Sequence, residues 1–64
     1  MTIAEKLIDL RKKAGKTQAE VAEDLKITQS RLGNYEQGIR IPRDEMKRKL
    51  ASYYGSTVQE IFFD

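Results

Sequence analysis

Gln29, Ser30, Gly33, Asn34 and Gln37 recur at the spacing of one helical face, so a helix through them gathers three carboxamides and a hydroxyl around a glycine. Each carboxamide holds a donor and an acceptor side by side, the two-point pattern that pairs with base edges in a DNA major groove. The face is polar, small and nearly uncharged, which suits reading bases better than solvation by charge. Catalysis has far less to work with. The chain holds neither Cys nor His, so it can form no disulfide, no thiolate or imidazole metal site and no Ser-His or Cys-His pair. Its Asp and Glu residues fall on caps, solvent faces or opposite Arg11, without a convergent site. No enzyme activity, metal or cofactor is expected.

Two helical patterns with almost nothing between them must position that face. Thr17 and Glu20 are spaced as a capping box, after which Val21, Ala22 and Leu25 share one side. Thr28 is a good N-cap for the next pattern, which buries Leu32 and Tyr35 and leaves the amide face outward. Only Lys26 and Ile27 separate the two, which reads as a helix-turn-helix over residues 17 to 38.

The remaining punctuation predicts an all-α chain of five short helices. Thr2 and Glu5 form another capping box, Ile3, Leu7, Leu10 and Ala14 recur at helical spacing, and Gly15 closes helix 1 at about Ala14. Helix 2 is predicted from about Gln18 to Leu25 and helix 3 from about Gln29 to Gln37, with Gly38 as its stop. Pro42 allows helix 4 to begin near Arg43 or Asp44, carrying Met46, Leu50, Tyr53 and Tyr54 inward or partly so, and Gly55 ends it. A third capping box, Ser56 with Gln59, is expected to open a last helix whose apolar side holds Val58, Ile61 and Phe62. Ile39-Arg-Ile and Ile61-Phe-Phe are too short and unpaired to make a sheet.

At 64 residues the chain reads as one domain over 1–64, near the lower limit for folding without metal or disulfide. Apolar runs of three residues or fewer and an acidic, helical N-terminus predict neither a membrane span nor a secretory signal, hence a cytoplasmic protein. Net charge is only +2, but it is unevenly placed: residues 1–15 carry +2, 16–26 carry −1, 27–43 carry +2 and 44–64 carry −1. Positive charge thus gathers at the end of helix 1 and around helix 3, where phosphates would lie.

With Thr17-Gln18, Val21-Ala22, Leu25, Ile27-Thr28, Leu32, Tyr35-Glu36 and Gly38 in place, and Pro42, Leu50-Ala51, Tyr54-Gly55, Val58 and Phe62 continuing the match, the sequence resembles the Xre/Cro-type helix-turn-helix family of phage-repressor and bacterial regulator domains. The resemblance covers essentially the whole chain. It implies a phage repressor-like fold and a double-stranded DNA partner. Gln29, Ser30, Gly33 and Asn34 match positions that face bases, with Arg31 beside them able to reach a base or a phosphate. Gly33 either lets the helix sit deeper in the groove or ends helix 3 early, and the continuing Tyr35-Glu36 pattern favours the first.

Gln18 matches a family glutamine that touches a phosphate and braces the first residue of the recognition helix, here Gln29. Thr28, Tyr35, Arg40 and Arg43 complete the implied phosphate contacts. Arg11 and Glu36 correspond to a partly buried ion pair that joins helix 1 to the end of helix 3. Lys12, Lys13, Lys16 and the run Lys47-Arg48-Lys49 read either as solvated or as further backbone contacts. Two departures stand out. Lys26 occupies the turn position where the family commonly has Gly, and Asp44 and Lys47 replace apolar residues of helix 4, leaving Met46 and Leu50 to make its core contact.

A monomer of this size covers only about 4 to 6 base pairs, whereas a two-fold dimer sets two recognition helices about 34 Å apart in successive major grooves. The implied function is a transcriptional regulator, expected to be a repressor, on a pseudo-palindromic operator. Val58, Ile61, Phe62 and Phe63 are the expected homodimer surface, with the alternative that Ile61 and Phe62 cap the monomer core, which has least room for Phe63. A second reading keeps the fold but turns the same face, or the last helix, to a protein such as a toxin or antirepressor. Acidic or bulky apolar residues on the recognition face would favour it, and Gln29, Ser30, Arg31 and Asn34 do not.

Overall fold

A computed structural model describes residues 1–63. Its elements are α1 (Ile3–Lys13), α2 (Gln18–Leu25), α3 (Gln29–Glu36), α4 (Asp44–Tyr54) and a terminal turn of π-helical pitch, α5 (Gln59–Phe63), with no strand among the described residues. Local chemistry sets the starts. Thr2 Oγ1 accepts from Glu5 N at 3.1 Å while Glu5 Oε1 accepts from Thr2 N at 2.9 Å, and Thr17 with Glu20 repeats both bonds at the same distances. Thr28 Oγ1 accepts from Arg31 N at 3.1 Å to cap α3. These bonds satisfy amides that a helix start would otherwise leave without partners.

Each of the first four helices ends on a left-handed residue, which turns the chain back so that its next amides close onto the last carbonyls. Three of these are glycines, Gly15, Gly38 and Gly55, and the fourth is Lys26 at φ 59° and ψ 41°. Lys26 therefore takes up the conformation that the turn demands of a glycine. Helix α3 continues through Gly33 to Glu36, so Gly33 does not end it.

The predicted Ser56/Gln59 cap is corrected by one residue. Ser56 N donates to Ala51 O at 2.9 Å, which commits Ser56 to closing α4, and the cap moves to Thr57, whose Oγ1 accepts from Glu60 N at 3.1 Å.

Leu7, Val21, Leu32, Leu50 and Ile61 have essentially no exposed surface and form a core drawn from all five elements. Met46 is buried with Leu50, as the spacing in α4 predicts. A second correction falls on the C-terminal segment: Ile61 is 2% exposed and Phe62 7%, so both lie inside the monomer rather than on the expected dimer surface. A chain this short has few large apolar side chains, and its own core takes these two. Val58 is half-buried and Phe63 remains 62% exposed. Lys47 completes the seam, its ammonium 5.6 Å from the Phe62 ring centre and 5.0 Å from that of Phe63, while Lys6 Nζ donates to Glu60 O at 2.9 Å.

Candidate nucleic-acid interface

A buried polar joint holds α3 in place. Arg11 Nε donates to Glu36 Oε2 at 2.9 Å, and Arg11 Nη1 donates to Lys16 O at 3.0 Å in the loop before α2. The side chains of Arg11 and Glu36 are 16% and 2% exposed. The Glu36 bond pushes the Arg11 guanidinium further toward its charged form. Glu36 uses its second oxygen as well: Oε1 accepts from Gln18 Nε2 at 3.0 Å. One carboxylate thereby ties α1, the first turn of α2 and the end of α3 together.

Among the described residues no side-chain bond joins Gln18 to Gln29, so the expected brace is replaced by the one to Glu36. An amide donor bonds more strongly to an ionised, desolvated carboxylate than to another neutral amide, so the Gln18 side chain turns to Glu36. The crossing does not require Gly33: a Cβ there would meet Gln18 Nε2 at 4.0 Å, ordinary contact for a methyl. Gln18 nevertheless keeps its place beside the bases' expected partners, since Gln18, Gln29, Ser30, Gly33, Asn34 and Gln37 line one open concavity of about 390 Å³.

A second concavity of about 450 Å³ adjoins it, sharing Ser30 and Asn34 and bounded by Arg31, Tyr35, Arg40 and Arg43, with Thr28 at its edge. Arg31 stands here, with the residues expected at phosphates, and its Nε donates to Tyr35 Oη at 2.8 Å. Tyr35 is buried apart from this edge, and its hydroxyl, while accepting from Arg31, still has a proton to give. The same holds for the Thr28 hydroxyl, which accepts from Arg31 N. Three guanidinium groups and the hydroxyls of Thr28, Ser30 and Tyr35 around one hollow make a suitable seat for anionic oxygens. The residues expected at bases and those expected at phosphates thus lie side by side along α3.

Three features had no local signal in the sequence. Gln18 meets Glu36 across 18 residues, and Tyr53 Oη donates to Asp24 Oδ2 at 2.5 Å across 29, an interaction that pushes the Tyr53 hydroxyl pKa up to about 12. Tyr54 Oη is buried without a hydrogen-bond partner among the described residues, and burial together with the Glu36 charge pushes it up to about 12 as well.

An all-helical domain whose second and third helices pack together, the third beside a charged hollow, has the architecture of a helix-turn-helix protein. Residues 7–61 match the helix-turn-helix family, and the chain belongs to it, in its Xre-like branch. Among characterised relatives, the HTH-type transcriptional regulator ImmR of Bacillus subtilis (strain 168) is 41% identical over 54 residues, covering 84% of this chain. The aligned part is 42% of that regulator, so the chain spans less than half its length. No described helix is long and apolar enough to cross a membrane.

Proposed function

We propose that the chain is a sequence-specific DNA-binding transcriptional regulator that reads the major groove with α3 and represses by occupying its operator, in the cytoplasm. The observation that carries this is the pair of adjoining hollows: amides, Ser30 and Gly33 in one, and Arg31, Arg40 and Arg43 in the other. A base-reading strip beside a phosphate seat is the division of labour that specific DNA recognition needs. The exposed face of α3 carries no acid and no large apolar side chain, which favours DNA over a protein partner. The resemblance to ImmR, itself a transcriptional regulator by name, points the same way.

Size argues for a homodimer on a pseudo-palindrome. The longest dimension of the molecule is 27 Å, short of the roughly 34 Å between successive major grooves on one side of B-DNA. With Ile61 and Phe62 in the core, the proposed contact narrows to Phe63, exposed and held by Lys47, and the half-buried Val58. No catalysis or cofactor belongs to this reading. Gel shift across a salt series tests it: affinity for a selected duplex is expected to fall steeply and linearly in log–log form. Weak binding of all duplexes alike at every salt concentration contradicts specificity.

A further inference from the structure

The turn between α2 and α3 contains a residue whose backbone and side chain pull in opposite directions. Lys26 occupies a left-handed conformation, where a Cβ crowds the following carbonyl and Gly is at ease. Its side chain is exposed, and no hydrogen bond or ion pair of the described residues engages its ammonium. Folding alone therefore gives no reason for a lysine here.

A third concavity, of about 310 Å³, gives it one. Leu25, Ile27 and Met46 form its apolar base, and Lys26, Arg31, Arg43 and Lys49 stand exposed around it. Against these four cations its lining has one acid, Glu45, 3.7 Å from Lys49. Arg31 and Arg43 also bound the hollow beside α3, so the two surfaces share a wall. Arg40, Arg43, Arg31, Lys26 and Lys49 thus set cations around two adjoining hollows, from the loop after α3 to the middle of α4, with Glu45 the acid among them.

We infer that this cleft holds backbone phosphates of the DNA flanking the segment that α3 reads. Lys26 and Lys49 serve as mobile point charges, and Arg31 and Arg43 bridge the two surfaces. Continuity with the proposed DNA face and the charge of the rim select a nucleic-acid backbone as the occupant. Contacts of this kind carry no base information and add to affinity through counterion release. The inference rests on the DNA-binding reading above. It explains why a lysine stands at a position where glycine is easier: the cation acts in the complex.

Lys26→Gly separates the two effects because they have opposite signs. Removing the Cβ is expected to raise the melting midpoint by about 4–8 °C. The same change is expected to weaken binding to a duplex selected by the wild type by about tenfold at low salt, and to flatten the log–log salt slope by about one per subunit. The preferred sequence should stay the same. Lys49→Gln should act alike on binding, and trimming the flanks from the duplex should weaken the wild type while leaving a Lys26→Gly/Lys49→Gln double variant nearly unmoved. Both variants binding as the wild type does, with the same slope on long and trimmed duplexes, overturns the cleft alone. Failure of the wild type to bind any duplex overturns this inference and the DNA-binding reading together.

Discussion

Two polar clusters built from nearly the same residue types have opposite fates in this molecule. Arg11, Glu36 and Gln18 turn inward, and Glu36 has both carboxylate oxygens engaged at about hydrogen-bond distance by side chains of α1 and α2. Gln29, Ser30 and Asn34, with Arg31, Arg40 and Arg43 beside them, line open hollows. The difference separates a cluster that positions α3 from one that stays open to a ligand, with Gln18 at the border of both. A mutually satisfied cluster around the buried Glu36 fixes where α3 sits, and the other, apart from the Arg31–Tyr35 bond, keeps its polar groups open to a ligand.

The comparison breaks most visibly at Glu36. Glu36→Ala leaves the Arg11 guanidinium and the Gln18 amide without their acceptor, and stability should fall by about 3 kcal/mol in urea or thermal unfolding. A loss below about 0.5 kcal/mol, the usual range for surface sites, means that the joint does not hold the fold. Gln29→Ala should do the reverse: unfolding within about 0.5 kcal/mol of wild type, but a loss of about 1–3 kcal/mol in binding the preferred duplex, with preference relaxed at one position per half-site. Titration of matched and single-mismatch duplexes checks both.

Gly33→Ala sits between the clusters. Its methyl meets only Gln18 at ordinary contact distance, so helix propensity should raise stability by about 1 kcal/mol. DNA affinity should drop if the glycine serves close approach to the groove, and unchanged affinity removes that role.

Tyr54 gives the smallest effect. Its buried hydroxyl has no partner among the described residues, so Tyr54→Phe should be neutral or stabilising by up to about 1 kcal/mol near neutral pH. The fold holds the Tyr53 and Tyr54 hydroxyls protonated up to about pH 12, against an ordinary value of 10. Between those values the unfolded chain binds fewer protons, so stability falls as pH rises from 10 toward 12. Tyr54→Phe should flatten that decline in pH-dependent melting, and an unchanged decline assigns it to Tyr53.

Much of the scaffold was legible because its signals are local. Thr2 with Glu5 and Thr17 with Glu20 make their bonds within three residues, and glycines mark three of the turns. Where two equivalent signals overlap, local reading fails: Ser56/Gln59 and Thr57/Glu60 have the same spacing, and only the closing bond of α4 selects the second. Ile61 and Phe62 show the same limit for burial. Their apolar face was plain, but whether a core or a partner covers it depends on how many other large side chains the core has. The family resemblance supplied the Arg11–Glu36 pair. The turn of Gln18 toward Glu36, the Tyr53–Asp24 bond and the stacking of Lys47 on two rings depend on tertiary placement and had no spacing to betray them.

Selection of bound duplexes from a random pool at low salt tests the central claim, that α3 reads bases, most directly. The expected result is a two-fold symmetric motif with half-sites about 10 base pairs apart, centre to centre, lost from the pool selected by a Gln29→Ala/Asn34→Ala variant that melts like the wild type. No enriched sequence, or the same motif from that variant, contradicts it.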